Sequence, residues 1–161
     1  MNLLGLVLFA AVITAGTSTK VTAQKAFRHS AESCTYLSGN VHIDEKTFSI
    51  SADRAYVYFG DGDAEVNRIV AFGSVAITSL AHTAQAETAH FLRAVEAIDL
   101  IGSPTNPAIV TDSSGTVLQS IKAQRIRLYT KTGRAEVLGT SGQSRRAQQS
   151  SLAWNIHKSK R

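Results

Sequence analysis

Apolar and polar residues alternate along residues 39–142, and Gly, Asp, Asn or Ser interrupts each run. This is the signature of successive β-strands. In the first clear strand Val41 and Ile43 take one face while His42 and Asp44 take the other. In the next, Phe48, Ile50 and Ala52 alternate with Ser49 and Ser51; the parity then changes, and Ala55, Val57 and Phe59 carry the apolar face. The same change follows Ala86, where Ala89 and Phe91 take over, and Ala123, where Ile126 and Leu128 do. An extra residue at an equivalent place in three strands predicts a bulge or a sharp corner. A further apolar face runs through Ile69, Ala71, Gly73, Val75 and Ile77, echoed by Ile98, Leu100 and Gly102 and by Ala135, Val137 and Gly139.

These strands repeat. Gly39-Asn40-Val41-His42-Ile43 returns as Gly73-Ser74-Val75-Ala76-Ile77, with a looser third copy beginning at Gly102-Ser103. The corner alanines Ala52, Ala86 and Ala123 are separated by 34 and 37 residues, a spacing typical of solenoids and repeat-built sheets. Such units bury their apolar faces against their neighbours, so an elongated β-structure with one continuous core is expected. Turn residues at 59–63 and 111–115 mark loops, and Pro104 with Pro107 makes the stretch after Gly102 a loop or an edge. Residues 84–98 are rich in Ala, Glu, Leu and Arg and have helical propensity in isolation. Their match to the flanking copies assigns them to strand instead.

The ends differ from this body. Residues 3–15 form an apolar run too short to span a bilayer, and Val21-Thr22-Ala23 fits a secretory cleavage before Gln24. Residues 1–23 therefore read as a signal peptide, with an uncleaved anchor as the alternative, and residues 24–36 as an N-terminal segment. Between residues 25 and 142 there are 11 Lys and Arg against 12 Asp and Glu, whereas residues 143–161 carry five basic residues and no acid. The body is close to neutral, and the tail reads as a flexible basic extension that is attracted to anionic surfaces or simply solvated. Without a basic face on an exported body, nucleic acid is not an expected partner. Cys34 is the only cysteine, which excludes an intrachain disulfide and a multi-cysteine zinc site.

Catalytic groupings are sparse. His42 with Asp44, and His82 with His90, lack a recognisable nucleophile or a third metal ligand. Asp61, Asp63 and Glu65 alternate like calcium ligands without the full loop pattern, and turn chemistry accounts for them. No pair of acids stands out for glycoside hydrolysis. The sequence points to no enzyme, cofactor or metal. What remains is the inward set Val41, Ile43, Ile50, Val57, Phe59, Ile69, Val75, Ile77, Phe91, Ile98, Leu100, Ile126, Leu128 and Val137, which either packs as an ordinary core or lines an apolar groove. Small neighbours at Ala52, Ala55, Ala71, Ala86, Ala89 and Ala123 leave room that larger side chains would fill. The expected free edges are residues 36–43 and 135–139.

The order Gly39-Asn40-Val41, Ser51-Ala52-Asp53-Arg54-Ala55 and Ala71-Phe72-Gly73-Ser74-Val75 resembles the periplasmic lipopolysaccharide-transport proteins of the OstA or LptA type, over roughly residues 37–142. The related membrane-anchored LptC type is the second choice. The resemblance implies an all-β, repeat-built antiparallel β-jellyroll at residues 37–142, a folded-over sheet with open ends. It implies a periplasmic carrier that shields the acyl chains of lipopolysaccharide (lipid A) between the inner and outer membranes. It also implies head-to-tail joining with similar copies and with jellyrolls of the inner-membrane and outer-membrane components. The physical reading alone also admits a secreted repeat-β structural or adhesion module with a dry core.

Overall fold

A computed structural model describes residues 11–15, 19–29, 33–60, 65–112 and 119–139. Residues 1–10 and 16–18 of the expected leader, the acidic loop at 61–64, residues 113–115 of the expected turn and the basic tail lie outside them. The strands are β1 (Ala11–Ala15), β2 (Thr19–Ala23), β3 (Lys25–His29), β4 (Cys34–Asp44), β5 (Phe48–Phe59) and β6 (Val66–Ser79), followed by β7 (His82–Leu92), β8 (Ala97–Ile101), β9 (Ala108–Asp112), β10 (Gln119–Ala123), β11 (Arg125–Tyr129) and β12 (Ala135–Val137). They form one 12-stranded sheet. Every pairing in it is antiparallel. Residues 84–98 are strand apart from a short 3-10 turn at Arg93–Val95, as the repeat requires.

The long strands each cross a corner and so belong to two arms. Residues 34–38 of β4 pair with β3, whereas residues 42–44 pair with β2. Likewise residues 88–92 of β7 pair with β8, and residues 82–85 pair with β9. The first arm contains β3, β8, β11 and β12 with one half of each of β4–β7; the second contains β1, β2, β9 and β10 with the other halves. Register shifts fall between Ser38 and Val41, between Ser51 and Arg54, and between Phe72 and Val75. The corners therefore stack on adjacent strands, which folds the whole sheet over.

Two of the corners are built from consecutive left-handed residues. Gly39 and Asn40 have φ of 77° and 47°, and Gly73 and Ser74 have 73° and 47°. Glycine enters that region without the Cβ penalty. Asp53 packs into the space a Cβ on Gly73 would need, and Gln24 does the same at Gly39. The third corner has no such pair. There residues 102–107 form the expected proline loop, and the strand is interrupted into β8 and β9.

Register partners share a face, so the interior can be read as rows. In the first arm one row runs Ala26, Leu37, Ala55, Ala71, Ala89, Leu100, Ile126 and Val137 across eight strands. In the second arm Val21, Ile43, Ile50, Ile77, Ala84, Val110 and Ile121 form its counterpart. All of these side chains but Val137 belong to one hydrophobic cluster or pack against it.

Three expectations need revision. The sheet begins well before residue 37, because Val21 and Ala23 are buried and β2 and β3 pair with β4. Residues 36–43 are consequently not an edge; β3 is. The third concerns Val137, which shares the inward face of Ile126 but is 43% exposed, because β12 is the last strand and nothing described lies beyond it.

Candidate functional site

The apolar interior is the principal candidate. Thirteen of the fourteen inward residues read from the sequence are buried, all but Val137. Ile43, Ile50, Ile69, Ile98, Leu100 and Ile126 have no accessible surface. The alanines at 55, 71 and 89 sit side by side in one row and are fully buried as well, so the first-arm lining is shallow at its centre and bulky toward β11. Sequence reasoning missed Leu37, Ala108 and Val110, all buried. Ala108 and Val110 alternate with Ile109 and Thr111, and the nearby prolines drew that stretch into a loop.

Opposite the corners, the two arms meet along a seam. Phe48 of the second arm packs at a tilt against Phe91 of the first, centroids 4.8 Å apart. Beside them Glu45, in the β4–β5 turn, accepts from Thr19 Oγ1 at 2.6 Å and pairs with Arg93 Nη2 at 2.9 Å. Arg93 in turn donates through Nε to the Val66 carbonyl. At the far end of the seam Gly133 lies against the His82 ring with no space for a side chain. His82 Nδ1 is buried and has no hydrogen-bond partner among the described residues. No local signal links Glu45 to Arg93, so the seam was invisible in the sequence.

The outer faces carry the polar chemistry. On the second arm His42 contacts Ser51 Oγ at 2.9 Å through Nδ1 and Asp44 Oδ1 at 3.0 Å through Nε2. The grouping has the composition of a catalytic triad, but it lies on an exposed strand face where both strands are paired with their neighbours. His82 and His90 do not come together: the first is at the seam, and the second faces outward beside Asp99. On the first arm Asp99 binds Arg127 Nε at 2.6 Å and Arg125 Nη2 at 3.1 Å. Burial raises the Asp99 pKa, and the hydrogen bonds from Arg127 and Arg125 more than reverse this, leaving it below the usual value. A mixed cleft of ≈ 290 Å³ opens at the corner between Ser74, Gln85, Asn106 and Ile109.

The arrangement is thus an open, folded-over antiparallel jellyroll with a single apolar interior and no α-helix among the described residues. The profile of the LptA/(LptD N-terminal domain) LPS transport protein family matches residues 20–134. This chain belongs to that family. Its fold is similar to the crystal structure of LptH, the LptA homologous periplasmic component of the conserved lipopolysaccharide transport device from Pseudomonas aeruginosa, with a TM-score of 0.62 and 12% sequence identity. The likeness covers 79% of this chain and 90% of the LptH chain. No curated protein sequence matches the chain.

Proposed function

We propose that the protein is a non-enzymatic periplasmic carrier that holds the acyl chains of lipopolysaccharide between its two arms during passage from the inner to the outer membrane. The observation that carries this reading is the inward row from Ala26 to Val137, which runs unbroken between the two ends of the sheet. Each methylene kept from water is worth about 0.8 kcal/mol, so an apolar corridor moves a lipid without any bond being made or broken. The inner side chains are inaccessible in the closed form, so loading requires the arms to part along the Phe48–Phe91 seam.

The free edges at β3 and β12 support joining by strand addition, to further copies and to jellyrolls of the membrane components. Export by an N-terminal leader fits the same reading. Because Val21 is buried against the core, a cut after Ala23 would remove a core strand, and we place the mature start ahead of Thr19.

The test is to express the full chain in a host that makes lipopolysaccharide and measure co-purifying lipid A by mass spectrometry. Ile77→Asp and Leu128→Asp place a charge in the interior, and Val137→Asp places one at the exposed mouth where folding tolerates it. Saturable lipid A in wild type, reduced in folded variants, is the expected result. A folded wild type that takes up none, even with added lipopolysaccharide, supports a structural module with a dry core.

A further inference from the structure

The two outer faces of the sheet differ in a way that their strand content does not require. On the second arm the outward positions of β5–β7 are small and polar, such as Ser51, Thr78 and Gln85. On the first arm an outward row runs from Phe27 through Tyr36 and Tyr56 to Val70, one residue per strand. The rings form a continuous ladder, with centroids 6.4 Å apart for Phe27 and Tyr36 and 5.0 Å for Tyr36 and Tyr56. Phe72 closes edge-on to Tyr56 at 6.0 Å.

We propose that this ladder is a binding platform for the phosphate-bearing saccharide of a lipopolysaccharide. The inference rests on the carrier reading above. Three observations select a saccharide. Ring-to-ring spacings are close to the length of one pyranose unit, and a row of rings across strands suits an extended polymer lying on the surface. Tyr36 and Tyr56 are half-buried and only Phe27, at the edge, is exposed, at 56%, so two of the three rings are held against the sheet and do not project as membrane-inserting side chains do. Their hydroxyls make no hydrogen bond to other described residues and stand ready for sugar hydroxyls.

Charge supports the phosphate. The outward cations around the ladder are Lys25, Arg54 and Arg68, with Arg68 stacked on the neighbouring Tyr58 at 3.8 Å, against one exposed acid, Asp53, at the corner beside Arg54. The other acids of this face, Asp99 and Glu136, lie in its distant half on β8 and β12. Position fits as well. The ladder starts on β3, at the open N-terminal end of the interior, where the head of a lipid whose chains lie inside would emerge.

The experiment titrates the full chain with two probes: lipopolysaccharide saccharide freed of all acyl chains with its phosphates retained, and lipid A. Calorimetry is expected to give saturable saccharide binding that falls about tenfold in Tyr56→Ala and in Phe27→Ala. Tyr56→Phe should retain most of it, and Thr83→Ala on the other arm all of it. Phe27 is an exposed edge residue, so its variant tests the platform without unfolding the sheet. If lipid A binds while the saccharide does not, the platform is overturned and the carrier stands. If the saccharide binds and lipid A does not, the platform survives and the carrier falls. Saccharide binding indifferent to both alanine variants would also overturn it.

Discussion

Phe48 and Phe91 lie ring against ring at 4.8 Å with planes tilted 58°, although one opens β5 in the second arm and the other nears the end of β7 in the first. They join layers that the strand ladders do not join on this side of the fold. Removing one ring leaves its partner facing a void that the paired strands cannot close.

Phe48→Ala is therefore expected to cost about 3–5 kcal/mol. Urea unfolding should show a lower midpoint with an unchanged slope, since the surface exposed on unfolding is similar. Phe48→Leu should lose less than half as much. A loss of under about 1 kcal/mol in the alanine variant would mean that the arms do not depend on this contact.

The Glu45 carboxylate makes the polar part of the same seam, with only 4% of its side chain exposed. Glu45→Gln removes the charge opposite Arg93 and weakens the bond from Thr19, at a cost of about 1–3 kcal/mol. If lipid enters by parting the arms, this variant should also take up fluorescent lipid A faster at unchanged stoichiometry. Lower stability with an unchanged uptake rate would exclude the seam as the route.

Asp99 and His90, register partners on the first-arm outer face, give stability an acid-sensitive profile in two steps. Burial lowers the His90 pKa from 6.5, with further lowering from Arg125 and Arg68, while Asp99 opposes it. The His90 contribution is thus complete above pH 6.5 and is lost as pH falls through the lowered folded value. Asp99 is held below 3.8, so its contribution is complete above that pH and is lost as pH falls through its own folded value. Stability measured from pH 8 downward should decline first with His90 and then with Asp99. His90→Gln should flatten the upper step only. Asp99→Asn should flatten the lower step and cost about 2 kcal/mol at neutral pH, because two arginines lose a charged acceptor.

The interior was legible because strand alternation is local. Ile43, Ile50 and Ile77 were placed inside from parity alone, and the parity change after Ala52 located a corner. Two things were not local. Residues 19–29 look like a leader and a spacer, because Val21-Thr22-Ala23 fits a secretory cleavage, and only their pairing with β4 reveals them as strands. Glu45 and Arg93 are 48 residues apart and each looks like an ordinary surface charge. The aromatic ladder was hidden for a related reason: Phe27, Tyr36 and Tyr56 align only once the register is known.

The corner residues offer the most direct check of the folded-over sheet. Gly73 and Ser74 are both left-handed, and a Cβ on Gly73 would collide with Asp53. Gly73→Ala should destabilise by about 1–2 kcal/mol from backbone strain alone. Ser74 already bears that strain without glycine's tolerance, whereas the equivalent residue in β4 is Asn40, a type that enters the region more readily. Ser74→Asn should accordingly stabilise the protein by a few tenths of a kcal/mol, and Ser74→Gly should be nearly neutral because relieved strain is offset by a freer unfolded chain. The opposite signs at adjacent positions are what distinguish a left-handed corner from an ordinary bulge, in which both substitutions would be mildly destabilising. Thermal melts of the three variants beside wild type decide between them.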